Sequence, residues 1–230
     1  YKILTMILSN RLVQVLHEII TSGQLCTVRG QNIHFGTHNI LSAMMYLEER
    51  VKYADEFGYN SEKAGGAALV SYDLYKAYDR VSVQYLVKVM AAMGFDTVFI
   101  DWVLMLHKDA TTQFILNFLT KPVKILISIR QGDPLAMVLF LIFIEPLLIM
   151  IRRSTGGLSV LGLNFFHEKC ERHELFTGRG KVCVIQSDED FVDDVNTFVE
   201  NPQDLVIIDN IFNKFERISG AILNRSEKTK

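Results

Sequence analysis

The chain has 230 residues, a formal net charge of −2, a pI of about 6.3 and a mean hydropathy of +0.19. Hydrophobic residues make up 49% of it, which excludes a disordered tail and allows one large domain or two small ones. The near-neutral charge excludes a protein that coats nucleic acid by bulk charge, while leaving a local basic groove open.

Tyr1 to Ile20 reads as a helix, because Ile3, Leu4, Ile7, Leu8, Leu12, Val15, Leu16 and Ile19 recur at helical spacing. Gly23 to Phe35 reads as a loop. Asn39 to Phe57 reads as a second amphipathic helix, with Glu48, Glu49, Arg50 and Lys52 on its wet face, and the polar run Gly58 to Gly66 is the best internal boundary. Ala67 to Asp73 is a short apolar strand ending in a carboxylate. Helices follow over Val83 to Met93, stopped by Gly94, and over Thr97 to His107. Thr111 to Asn117 and Lys121 to Arg130 read as a hairpin joined at Phe118 to Thr120.

Asp133 before Pro134 is a good helix start, and it opens the most apolar run, Leu135 to Ile151. Glu145 and Pro146 interrupt that run, so its unbroken part, Leu135 to Ile144, is too short to cross a bilayer and reads as a buried core helix. Gly156 to Gly180 reads as irregular and charged. Val182 to Ile185 and Val195 to Val199 read as strands flanking an acidic stretch, and Pro202 starts a helix that runs through Ile218 and stops at Gly220. The order of elements gives an α+β fold, with helices packed on an antiparallel sheet.

The three cysteines, Cys26, Cys170 and Cys183, are scattered without a CxxC, which fits a reducing compartment better than a disulfide scaffold. Cys170 sits between His167 and His173 in HEKCERH, but a structural zinc site needs a second pair of ligands. The chain begins without Met and shows no signal peptide, and it reads as a fragment of something longer.

The stretch from Ser187 to Val195, SDEDFVDDV, crowds five carboxylates beside the apolar run Val182 to Ile185. It is either a solvated turn or a metal site. A further carboxylate, Asp73, ends the strand in SYDLYKAYDRV. If the hairpin around Asp193 and Asp194 lies beside that strand, three carboxylates converge. Such a cluster repels itself strongly without metal. It suits two divalent cations about 3.5–4 Å apart, and Mg2+ prefers hard oxygen ligands of this kind.

Taken together, these motifs resemble the reverse transcriptase domain of non-LTR (LINE-type) retrotransposons over nearly the whole chain. YKILTMILSNRL resembles the family's opening helix, and QLCTVRGQNI its fingers loop. SYDLYKAYDRV is similar to the motif that supplies the first metal-binding Asp. RQGDPLAMVLFLIFIEPL resembles the R-Q-G-D-P-L-S-P stretch, FVDD the Tyr/Phe-Ala-Asp-Asp box, and SGAILNRSEKT the motif that closes the palm.

The resemblance implies a right-hand polymerase fold, with fingers over residues 1–66 and a palm with a hairpin insert over 67–230, the thumb being absent. It implies RNA-directed DNA polymerase activity with an RNA template, a DNA primer and deoxynucleotides as partners, no membrane, and two Mg2+ ions (or Mn2+) as cofactors. It implies Asp73 and Asp193 as metal ligands, with Asp194 completing the acidic set. The Leu74 backbone would help seat the triphosphate. Tyr78, five residues after Asp73, would exclude a ribose 2′-OH; its other reading is a core aromatic. Gln131 and Gly132 would line the nucleotide pocket, and Lys228 would act near the leaving pyrophosphate or be simply solvated. Arg130 would touch phosphate or support the hairpin. Lys121 and Lys124 would touch template phosphate or form an ordinary wet face. The family suggests nuclear and cytoplasmic location rather than secretion.

The chain departs from the family pattern at several points. The arginine expected to hold the triphosphate falls on Gln31, a loss worth about 1.5–3 kcal/mol unless Arg29 replaces it. Ala136 and Met137 stand where Ser-Pro is usual, and Ser128 where Gly is common. These departures leave a second reading open: a degenerate, inactive relic or RNA-binding module. A third reading is an unrelated metal-dependent phosphohydrolase, which lacks a convincing base and leaves QGDPL unexplained.

Overall fold

The computed structural model describes residues 1–21, 24–52, 68–115, 117, 119–155, 158–161, 175–177, 180–185, 188–192, 194–199 and 202–225; between 158 and 191 only the backbone is described. Helix α1 (Lys2–Ile19) buries Leu8, Leu12 and Leu16. Helix α2 (Ile33–Lys52) starts six residues before the expected Asn39. Its start is set by Asn32, whose Oδ1 accepts the N–H of His34 at 3.0 Å, an amide cap inside what reads in sequence as a loop. The expected end of that helix, residues 53–57, and the boundary at 58–66 lie outside the described residues.

Strand β1 (Ala68–Asp73) runs into a turn in which Lys76 has φ 48°, then into a short 3-10 helix, Ala77–Arg80. Helix α3 (Val83–Ala92) is capped by Ser82 and α4 (Thr97–His107) by Asp96, each side chain accepting a first-turn N–H. The expected long hairpin is reduced to β2 (Thr111–Thr112) and β3 (Val123–Lys124), with a single bridge from Ile115 to Leu119. Pro122 removes a ladder donor, Thr120 Oγ1 takes the N–H of Phe114, and Ser128 has φ 148°, so the run to Arg130 cannot stay extended.

Helix α5 (Pro134–Ser154) continues through Pro146 and is long and apolar enough to cross a membrane. The expected interruption at Glu145 and Pro146 therefore does not end the helix. Here it is the core helix: Val138 to Glu145 are buried all round, and α1, α3 and α6 pack on it. Glu145, the charge inside the run, is fully buried and accepts the Thr21 N–H at 3.1 Å, with the Arg152 guanidinium 3.8 Å away.

Residues 156–180 are not wholly irregular. β4 (Leu158–Leu161) and β5 (Leu175–Thr177) flank β6 (Gly180–Ile185) in a sheet of their own. β6 therefore does not pair with the acidic stretch. The acidic residues form their own strand, β7 (Asp188–Phe191), paired with β8 (Asp194–Val199). Cross-strand pairing overrides the low strand propensity of Asp and Glu. β8 pairs on its other side with β1, giving an antiparallel sheet in the order β1-β8-β7.

Helix α6 (Pro202–Ser219) covers this sheet through Tyr72, whose ring lies 4.8 Å from Phe212. Phe140, Phe143 and Phe215 continue the aromatic seam between α5 and α6. Truncating Phe143 to alanine costs about 3–5 kcal/mol, the scale of a large core deletion. Gly220 stops α6 with φ 82°, a conformation that favours glycine, and a Cβ there would also crowd the Arg80 carbonyl at 3.3 Å.

Candidate active site

The register of β1 on β8 ends with Asp73 directly opposite Asp194. Directly opposed residues of an antiparallel pair project from the same face with Cβ atoms about 4.5–5.5 Å apart. The apolar residues of β1 explain why this register holds. Tyr72 is buried and pairs with Val195, also buried, so a slip of one residue would turn both into solvent. Two carboxylates are thus forced together at the sheet's end. Asp73 is half-buried and Asp194 exposed. The Asp194 carboxyl is raised above its ordinary value, by partial desolvation first and by the charge of Asp73 second. Because the side chain is exposed, the Asp73 charge is the cause the geometry supports more firmly. Asp193, the other expected ligand, lies outside the described residues, as does Lys228. The His167, Cys170 and His173 trio lies outside them too.

The hairpin turn is held from a distance. β7 ends at Phe191 and β8 begins at Asp194. Val192 has φ 59°, a left-handed conformation that a β-branched residue adopts only under constraint. Its N–H donates to Gln24 Oε1 at 3.1 Å, and the same oxygen takes the Cys26 N–H at 3.2 Å. Gln24 is fully buried. Next to it, Met137 Sδ accepts from Thr27 Oγ1 and from the Cys26 thiol, both at 3.5 Å, so the departure at Met137 ties this loop to α5.

Asp73 has its own partner. The segment after α6 returns along the outer edge of β1: Tyr75 N–H donates to the Ile222 carbonyl and Asn224 N–H to the Asp73 carbonyl, both at 2.8 Å. Asn224 Nδ2 also donates to Asp73 Oδ2 at 2.8 Å. Sequence reading assigned no role to Gln24 or Asn224. Both lie in motifs quoted above, Gln24 opening QLCTVRGQNI and Asn224 within SGAILNRSEKT, but nothing in either motif names the partner of the amide.

The residues expected on the nucleotide side lie on turns. Leu74 is buried and bridges Leu223, so its side chain is core and only its backbone is available to a ligand. Tyr78 is half-buried, with its ring stacked on Phe140 at 4.9 Å. One face is thereby packed, as in the core reading, and the ring is fixed, as a gate requires. Gln131 and Gly132 are exposed in a turn closed by Asp133 N–H to the Arg130 carbonyl, 3.1 Å. Gly132 has φ 77°, and nothing lies within 4 Å of where a Cβ would be, so the backbone conformation rather than protein packing requires glycine. The loop is fastened to the Tyr78 turn by Ser128 N–H to the Val81 carbonyl and Ile129 N–H to the Tyr78 carbonyl.

Arg130 places its guanidinium over the Tyr1 ring at 4.5 Å, and Lys124 pairs with Asp109 at 2.8 Å. Arg29 is exposed beside Gly30, whereas Gln31 is half-buried with its Oε1 enclosed and unbonded among the described residues.

The donor set suits a hard divalent cation. Two carboxylates are held in register, one of them oriented by an amide, and their mutual repulsion is relieved when a cation binds. Among the described residues no third His, Cys, Asp or Glu joins them.

An antiparallel sheet that carries paired carboxylates at a strand end and an adjoining hairpin, backed by core helices, defines a polymerase palm. The chain belongs to the reverse transcriptase (RNA-dependent DNA polymerase) family, whose model it matches over residues 1–230. It is 31% identical over 159 residues to the transposon TX1 uncharacterized 149 kDa protein of Xenopus laevis, covering 69% of this chain and 11% of that protein. It is 32% identical over 93 residues to the retrovirus-related Pol polyprotein from type-1 retrotransposable element R2 of Popillia japonica, covering 40% of this chain and 15% of that one. These relatives place it with the reverse transcriptases of non-LTR, LINE-type elements. A telomerase from Candida albicans, solved in complex with a TWJ fragment of telomeric RNA, shares the fold: TM-score 0.50, 11% identity, 96% of this chain and 33% of that one.

Proposed function

We propose that this chain is the fingers and palm, over residues 1–66 and 67–230, of a retrotransposon RNA-directed DNA polymerase. It extends a DNA primer on an RNA template. The observation that carries this reading is the register that sets Asp73 opposite Asp194 at the end of β1. In the reaction the primer 3′-oxygen bonds to the α-phosphorus of a deoxynucleotide, the 3′-proton leaves, and the bond to pyrophosphate breaks. Asp73, Asp193 and Asp194 would hold two Mg2+ ions (or Mn2+), which when bound would activate the attacking hydroxyl and neutralise the leaving phosphate. The Tyr78 ring, fixed against Phe140, excludes a 2′-OH and so favours deoxynucleotides. Gln131 and Gly132 line the sugar and base side, and the Leu74 backbone seats the triphosphate. Arg29 supplies the cation that Gln31 does not, and Lys228 stands on the pyrophosphate side.

The test is primer extension by the full-length protein that carries this chain. Asp193→Ala is expected to abolish it, and extension that survives overturns the proposal. A second reading is motivated by Gln31, whose enclosed side chain leaves the triphosphate without its usual arginine. A degenerate relic would bind RNA and add no nucleotide even with Mn2+; robust synthesis by the full-length protein would exclude it.

A further inference from the structure

We propose that Asn224 is a positioning residue of the metal site, a role that rests on the polymerase reading and adds to it. Its carboxamide fixes one oxygen of Asp73 and leaves the other to bind metal. Two bonds from one residue converge on Asp73: the Asn224 backbone N–H on its carbonyl and Nδ2 on its Oδ2, each 2.8 Å. Backbone pairing sets the place of the strand end, and the amide sets the rotamer of the carboxylate.

The chemistry of the donor matters. An amide is neutral, so it orients Asp73 without offsetting the negative charge that draws a divalent cation. A Lys or Arg in its place would pair with Asp73 and repel the metal. The adjacent residue is a cation, and the fold turns it away. Arg225 Nη1 bonds Glu216 Oε1 at 2.8 Å and Nη2 bonds Asn213 Oδ1 at 2.8 Å, with Asp209 3.5 Å away. Glu216 Oε1 also takes the Leu223 N–H at 2.6 Å. The side chains of three successive residues thus part ways: Leu223 into the core, Asn224 onto Asp73, Arg225 onto α6. The Glu216–Arg225 clamp fastens the segment that carries the amide. Asp73 faces a like charge across the sheet, and such a carboxylate swings away before metal arrives unless something holds it.

The test uses Asn224→Leu, of similar size without the donor, in the full-length protein. Mn2+ binding is followed by electron paramagnetic resonance without nucleotide, and primer extension is followed against Mn2+ concentration. Loss of a group that orients a metal ligand typically costs 10–100-fold in affinity. The expected result is an apparent Kd for Mn2+ about tenfold weaker, with extension restored at saturating Mn2+ and an unchanged KM for the deoxynucleotide. A merely structural role would lower extension equally at every Mn2+ concentration, and that result overturns the proposal, as does an unchanged Mn2+ affinity. If Asn224→Leu does not fold, Arg225→Gln, on the exposed clamp, is expected to weaken Mn2+ binding in the same direction by a smaller factor; unchanged binding there also overturns it. Mn2+ binding left unchanged by Asp73→Asn, relative to wild-type, would instead sink the polymerase reading itself.

Discussion

The carboxylate end of the sheet and the turns proposed to face the nucleotide are built on opposite plans. At the carboxylate end, Asp73 and the hairpin turn are each gripped by an amide from a distant part of the chain: Asn224 on Asp73, and Gln24 on the N–H of Val192. On the other side, Arg29, Gln131 and Gly132 are exposed and stand on turns whose shape comes from their own backbone. If these carboxylates are the proposed metal ligands, they must be placed to within a fraction of an ångström before the cation arrives, and their supports are directional: Gln24 is fully buried and Asn224 half-buried. On the proposed reading the nucleotide brings its own phosphates and base, so residues that would meet it need only be carried to the right loop. The departures from the family pattern fall on both sides: Ala136 and Met137 lie on α5, Met137 against the Gln24 loop. Gln31 and Ser128 change the turns, whereas Asp73, Asp193 and Asp194 are retained.

The contrast breaks most completely at Asp73. Asp73→Asn is expected to abolish primer extension and, at the same time, to raise the melting temperature of the metal-free protein by about 1–3 °C. Relief of one partly exposed like-charge contact is the reason. A catalytic group that destabilises the fold at rest behaves this way, while a purely structural carboxylate would lose stability when changed. Parallel measurements of extension and of thermal unfolding without metal decide between the two.

Gln24 tests the buried support. Gln24→Leu removes the acceptor of two buried N–H groups, those of Val192 and Cys26. Each stranded donor costs about 1–3 kcal/mol, about 2–6 kcal/mol for the two, offset in part by removing Gln24 Nε2, which is buried without a partner among the described residues; a net loss of a few kcal/mol is expected from denaturant unfolding. A loss under half a kilocalorie, about the size of an ordinary surface change, would show that the turn holds its shape unaided.

Much of the fold was legible because it is local. Helix Thr97–His107 has the bounds its apolar spacing and Asp96 cap imply, and Val83–Ala92 and Pro202–Ser219 differ from expectation by one residue each. What was not legible depends on partners. Nothing in Asp188–Phe191 marks it as a strand except the residues of β8 opposite, and the two-residue strands of the hairpin reflect Pro122 and Ser128 acting together. The Asp73–Asp194 pairing could be stated in advance as a condition, since a strand ending in Asp and an acidic hairpin suit one register. Gln24 and Asn224 could not, because their partners lie 168 and 151 residues away. A buried amide in sequence points at nothing until the fold brings its acceptor or donor to it.

On the nucleotide side, Gln31→Arg sharpens the comparison. It replaces an amide oxygen that is enclosed and unbonded among the described residues with a cation beside Gly30. One charge-assisted bond to a triphosphate is worth about 1.5–3 kcal/mol. Steady-state extension is therefore expected to show the KM for deoxynucleotide falling about tenfold, on the scale of 1.4 kcal/mol per decade, with little change in unfolding. An unchanged KM would mean that Arg29 already fills the role.

The smallest effect is expected at Ser128, and it isolates the turn from the chemistry. Ser128 has φ 148°, a region that costs a residue with a side chain about 1–3 kcal/mol. Glycine relieves that strain but brings more freedom to the unfolded chain, worth about 0.4–1 kcal/mol. It also gives up the Ser128 Oγ bond to the Ile129 carbonyl, 3.1 Å and only half-buried. The balance favours Ser128→Gly by about 1 kcal/mol, or about 2–4 °C in melting temperature for a chain of this size. The bonds from Ser128 and Ile129 to Val81 and Tyr78 use backbone atoms and survive the change, so Gln131 and Gly132 keep their place against the Tyr78 turn. Stability should therefore rise while the KM for deoxynucleotide stays put. If stability falls instead, the turn is shaped by the serine side chain and not by the backbone, and the plan inferred for this side of the molecule is wrong.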